Sequence, residues 1–201
     1  MHWIDPDCLP EVAGTVERLV ANPRGEADGM LLRDGTLVHV PPHLSAVLRG
    51  TVAPGSAVRI RGIRPRGVPH MVAAIEVLPE GGAAIHDHGP PEDRARDAWP
   101  APMTAEGLVR VALHGPKGEL RGALLEDGTV LRLGLKEAAG VAALLRPGAR
   151  VAARGHGITT PEGRVLQAEA IGSEPATLAP VKPAKHLRAP RQETPAATPP
   201  A

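Results

Sequence analysis

The chain has 201 residues with 23 basic and 22 acidic side chains, a formal charge of +1, which excludes a strongly basic nucleic-acid protein of the histone kind. Hydrophobic residues make up 42%, yet there are two Trp, no Phe and no Tyr, so any core must be built from Val, Leu, Ile and Ala. The single cysteine, Cys8, excludes an intramolecular disulfide and a cysteine zinc cluster, and no apolar run reaches the roughly 18 residues of a membrane helix.

Residues 1–11 form a short N-terminal extension with no basic n-region and no apolar h-region, so no secretion signal is read and a cytoplasmic location is expected. The excess of Ala, Gly, Pro and Arg, with only four Lys, suggests a GC-rich bacterial genome. Residues 12–20 are rich in β-formers, and Asn22-Pro23-Arg24-Gly25 is a turn. Two strands follow over 29–33 and 36–40, joined by Asp34-Gly35, a strong hairpin signal. Pro41-Pro42 ends the third strand, and 43–50 reads as a short helix. Pro54-Gly55 turns the chain into a strand at 57–61, a loop covers 62–69, and 70–78 is the last strand.

The same order then repeats. Shifted by 93 residues, the sequence matches itself without a gap: 17 of the 49 positions from Gly14 to Gly62 are identical between the copies, including Asp34-Gly35-Thr36 on Asp127-Gly128-Thr129 and Pro54-Gly55 on Pro147-Gly148. A unit of this length is a duplicated domain rather than a solenoid repeat. The division is therefore an extension (1–11), a first barrel (12–78), an acidic Pro/Gly-rich linker (79–104), a second barrel (105–172) and a Pro/Ala-rich basic tail expected to be disordered (173–201). A linker of that composition imposes no fixed geometry, so any fixed arrangement of the barrels must come from contact between them.

The order β-β-β-α-β-β in about 65 residues has the form of an OB-fold, a five-stranded Greek-key barrel. The fold class expected is thus all-β: two tandem OB-like barrels with one short helix each. The run Gly29-x-Leu31-Leu32-x-Asp34-Gly35-Thr36-x-Val38-His39-Val40-Pro41-Pro42-His43 resembles uncharacterised bacterial OB-fold proteins. The resemblance covers both repeats, about two thirds of the chain, and departs at Arg132, Gly134, Leu135 and Lys136, where the His and Pro residues are lost. It implies a fold and no chemistry.

A two-residue loop at Asp34-Gly35 would pair Leu32 with Leu37 and Met30 with His39. Leu31, Val38 and Val40 would then face the core, and Met30, Leu32, Leu37 and His39 would face outward. In the second copy Leu125, Val130 and Arg132 would lie outside. The expected apolar binding face is therefore Met30, Leu32, Leu37, Leu125 and Val130. Around it, Arg24 lies in the first turn, Arg59 and Arg61 project from the fourth strand, and Arg64 and Arg66 lie in the next loop. With His39 these arginines are the candidate nucleic-acid-binding residues, arranged to track the phosphates of single-stranded DNA or RNA. The weak point is the absence of any aromatic platform in either barrel, and an ordinary solvated arginine surface explains the same residues.

The alternative is a protein-interaction or scaffolding module. Its apolar outer faces would pack on each other, on a second copy or on a partner, which suits a near-neutral chain. No nucleophile elbow, phosphate-binding loop, dinucleotide glycine pattern or HExxH is present, so no enzyme is expected. His39 with His43, and His86-Asp87-His88, lack a third ligand set by the sequence; no metal and no cofactor are expected. Trp3 and Trp99 each precede a barrel and are read as caps on its open end.

Overall fold

The computed structural model describes residues 8–87, 89 and 100–181. The readings for Trp3, Trp99, His88 and the tail from 182 onward lie outside them. The first barrel is built from β1 (Glu11–Ala21), β2 (Ala27–Leu32), β3 (Leu37–His39), α1 (Ser45–Thr51), β4 (Ala57–Ile63) and β5 (Met71–Pro79). The strand order is β3-β2-β1-β4-β5, and a parallel pairing of β3 with β5 closes the sheet into a barrel. A short sixth strand, β6 (Ile85–His86), adds antiparallel to β5.

The second barrel repeats the plan with β7 (Ala101–His114), β8 (Leu120–Leu125), β9 (Val130–Arg132), α2 (Leu135–Gly140), β10 (Arg150–Thr160) and β11 (Gly163–Gly172), closed by β9 against β11. Its added strand is β12 (Ala179–Pro180). Even the irregularities repeat at the 93-residue offset. Register breaks occur at Val16/Arg18 and Val109/Val111, and again at Arg61/Gly62 and Arg154/Gly155. A bulge bends the strand and deepens its twist, which a small closed barrel requires. No helix among the described residues is long and apolar enough to cross a membrane.

The absence of Phe and Tyr shapes both cores. The first is filled by Val16, Met30, Leu32, Val38, Val40, Leu48, Ile60, Val72 and Val77. The second uses Val109, Leu125, Leu131, Leu133, Leu145, Val151 and Leu166, with several alanines between them. Small side chains bring backbones close. A Cβ at Gly29 would sit 2.6 Å from the Val38 carbonyl oxygen, and the equivalent Gly122 is tighter still.

Four expectations are corrected. The central hairpin has a three-residue loop, not two: the Leu32 N–H donates to the Thr36 carbonyl and Gly35 takes φ +85°. The Asp34 carboxylate accepts hydrogen bonds from the Thr36 N–H and hydroxyl, at 2.9 and 3.0 Å, which favours this turn; Asp127 and Thr129 repeat it. The pairing is therefore Leu31 with Leu37 and Met30 with Val38. A one-residue slip exchanges the faces, so Met30, Leu32 and Leu125 lie in the cores while Leu31 and Leu124 point outward. The repeat of the 62–69 loop would fall over 155–162, but residues 156–160 are instead the end of β10, which turns tightly into β11. The segment 79–87 is held to the first barrel, with Ile85 buried in its core, and 101–104 already belong to β7. The start of the tail is likewise held: Val181 donates its N–H to Glu169 and packs on the second core.

Candidate functional site

The two barrels meet through their outer hairpin faces. Val20, Ala21, Leu31, Leu37, Val68 and Met71 of the first form one buried cluster with Leu113, Leu124, Val130, Ile158 and Val165 of the second. The surface expected to hold a ligand is thus covered by the sister barrel. Leu37 and Val130 are the two members of the expected apolar face that lie in this contact.

The contact is two-fold symmetric to a close approximation. Val20, Leu31 and Leu37 face the residues 93 positions later, Leu113, Leu124 and Val130. A Cβ at Gly25 would meet Ile158, and one at Gly118 would meet Pro65, again the same pair of positions exchanged. On the axis itself, Glu17 meets its own equivalent, Arg110, with both guanidinium nitrogens on the carboxylate at 2.6 and 2.7 Å.

The expected arginines are dispersed. Arg24 is exposed in the β1–β2 turn, whose Gly25 abuts Ile158. Arg64 and Arg66 are exposed in the β4–β5 loop, which lies against Gly118 of the second barrel; Arg64 donates to the Pro69 carbonyl. Arg59 and Arg61 project from β4 toward Glu11, and Arg61 also pairs with Glu76 at 3.1 Å. The turn carrying Arg24 and the loop carrying Arg64 and Arg66 thus border the second barrel, while Arg59 and Arg61 pair with acidic residues of the first.

His39 lies inside the contact. A cavity of only about 10 Å³ is left among Asp28, His39, His114 and Arg132. Arg132 donates to the Asp28 carboxylate at 2.5 Å and to the Ala21 carbonyl at 3.2 Å. Burial lowers the His39 imidazole below its ordinary value; Asp28 and Glu119 oppose this, and Arg132 and Arg121 add to it. Burial also lowers His114, assisted by His70, whose ring stands edge-on 5.7 Å away, with Glu119 opposing.

Both imidazoles resist protonation when folded, and the cavity has no room to hydrate a new cation. The unfolded chain takes up these protons as pH falls through about 6.5, while the folded chain does so only at lower pH. Stability is therefore full above that value and falls as pH drops through it. Thermal unfolding between about pH 7.5 and about pH 5 should show this loss, and His114→Gln should flatten the slope. An identical slope in that variant would count against the assignment.

A crevice of about 740 Å³ opens on one side of the two-fold axis. Its walls carry Arg18, Arg49 and Pro54 from the first barrel, and Asp127, Glu162 and Arg164 from the second. Arg49 pairs with Glu162 in bidentate geometry at 2.7 and 2.8 Å. Burial tends to raise the Glu162 carboxyl, but the hydrogen bonds led by Arg49 outweigh it and the net shift is downward. Arg18 donates to the Gly128 and Glu162 carbonyls, at 3.0 and 2.5 Å; burial lowers it below its ordinary value, and its Nε finds no partner. Arg164 donates to the Thr104 carbonyl and is otherwise exposed.

The opposite side of the axis is built from other residues. There the equivalents of Arg18 and Arg49 are Val111 and Ala142; on the last strand the offset is 94, since Leu37 pairs with Met71 and Val130 with Val165, so Arg164 corresponds to His70, and Val111, Met71 and Val68 seal the contact. The signal for this site was present in the sequence as a difference between the copies, charged at Arg18 and Arg49 and apolar at Val111 and Ala142. No group of His, Cys, Asp or Glu among the described residues could hold a metal. No protein-family model matches this chain, and no curated protein matches it significantly.

Proposed function

We propose that the protein is a non-catalytic binding protein, bacterial in origin by its composition, and that it takes single-stranded nucleic acid by the phosphate backbone in the crevice between its barrels. The observation that carries this reading is the charge asymmetry about the two-fold axis. Three guanidinium groups, Arg18, Arg49 and Arg164, line one side, while the equivalent positions on the other are Val111, Ala142 and His70. Concave sites with convergent polar groups are where ligands bind, and guanidinium suits phosphate. With Asp127 and Glu162 counted, the crevice holds three positive and two negative groups, so binding is weak and salt-sensitive. No base-stacking surface is offered by the outer hairpin faces, which are buried, so binding does not discriminate sequence.

Fluorescence anisotropy with a short single-stranded oligonucleotide across a salt series tests this. Binding at low salt is expected, with Arg164→Ala weakening it and flattening the log–log slope by about one. Arg164 is the clean choice because it is exposed and stands outside the Arg49–Glu162 pair. Absence of binding at low salt retires the reading. The protein-interaction reading then leads, in the form in which the two outer barrel faces pack on each other within the chain.

A further inference from the structure

The contact between the barrels has the form of a homodimer interface. In an isologous pair, a residue on the axis meets itself and off-axis contacts occur twice. Here the axis position is occupied by Glu17 and Arg110, which neutralise each other. Two copies of the first barrel in this arrangement would set Glu17 against Glu17; two copies of the second would set Arg110 against Arg110.

The off-axis positions add to this exclusion for the second barrel alone. Asp28 pairs with Arg132. The exchanged positions hold Arg121 and His39. Two second barrels would therefore bring Arg121 against Arg132 twice, whereas two first barrels would bring Asp28 against His39 twice, so for the first barrel the axis position alone carries the exclusion. Arg49–Glu162 exists in one orientation alone, since the position exchanged with Arg49 is Ala142. The apolar contacts are symmetric and carry no preference, whereas the charges are antisymmetric.

We infer that these charges set the partner of the interface: the outer face of the first barrel accepts the second barrel of this protein, in the same chain or in another copy, and rejects a second first barrel. Apolar faces of this kind would otherwise associate indiscriminately, and like charges placed on the axis are an efficient exclusion. The inference is independent of any ligand in the crevice.

Charge reversal in the full chain tests it. One variant carries Glu17→Arg with Asp28→Arg; another carries Arg110→Glu with Arg132→Asp. Each sets like charges together within its own chain and against a second copy of itself. Each should remain monomeric and lose roughly 5–10 °C in Tm. The four-fold variant should recover most of that loss. Mixed and refolded together, the two double variants should form a 1:1 heterodimer by exchange of barrels, seen by light scattering at twice the 20.9 kDa chain mass. Failure of the four-fold variant to recover, dimerisation of either double variant alone, or a mixture that stays monomeric overturns the inference. Should Asp28→Arg fail to fold, Glu17→Arg and Arg110→Glu at the exposed axis pair close the same cycle. Each alone should lower Tm by roughly 1–3 °C and the pair together should restore it; additive losses would reject the proposal.

Discussion

Leu124→Asp is expected to separate the two barrels while leaving each one folded. Leu124 is fully buried, yet it belongs to the contact between barrels and to neither core. In its place a carboxylate would face Leu31, Leu37 and Val20 with no cation in the cluster. The loss combines the transfer of a buried leucine with the desolvation of a charge, on the order of 3–5 kcal/mol. The core of the second barrel, carried by Leu125, Leu131 and Leu166, is untouched. Thermal unfolding should therefore change from one transition to two, with strand content retained and a larger radius of gyration by small-angle scattering. A single transition lowered as a whole would mean that the second barrel cannot stand without the first.

The second large effect is expected at Asp28. Asp28→Ala leaves the Arg132 guanidinium buried with only the Ala21 carbonyl to receive it, and the Arg132 Nε already lacks a partner. Removing one member of a buried pair costs about 3–5 kcal/mol, because the remaining charge stays desolvated. Adding Arg132→Met should return most of that, since an apolar pair of similar volume is often as stable as the ion pair. Asp28 also favours a charged His39. Its removal makes His39 harder still to protonate in the folded state, so the loss of stability on acidification should steepen in Asp28→Ala. Chemical denaturation at two pH values measures both effects; a double variant no more stable than the single one would show that Arg132 is not the source of the loss.

These two residues also mark how far the sequence could be read. A two-residue hairpin would put Leu31, and with it its counterpart Leu124, in a core. The comparison of copies could not correct this, because both faces of the hairpin are apolar in both repeats. One face packs on its own barrel and the other on the sister barrel, so alternation carries no sign of which is inside. The register was decided by Asp34 and Asp127 accepting from the following threonine backbone and by a glycine at positive φ. That is a local interaction, and it was legible in principle.

Asp28, Arg132, Arg18 and Glu162 were of a different kind. Nothing local distinguishes them from solvated surface charges, and each acquires its partner across 104 to 144 residues of chain. By itself, the sequence determined the duplication, the strand order and the closure of two barrels. These follow from β-propensity, turn chemistry and an ungapped 93-residue repeat, and they are satisfied within each unit of the chain. Only the tertiary structure decided that the two outer faces cover each other, that the turn of Arg24 and the loop of Arg64 and Arg66 border that contact while Arg59 and Arg61 pair with Glu11, and that an arginine-lined crevice opens beside it. The reason is geometric: a two-fold arrangement of the copies is a property of their surfaces in space, and no spacing along the chain records which residue lies on its axis.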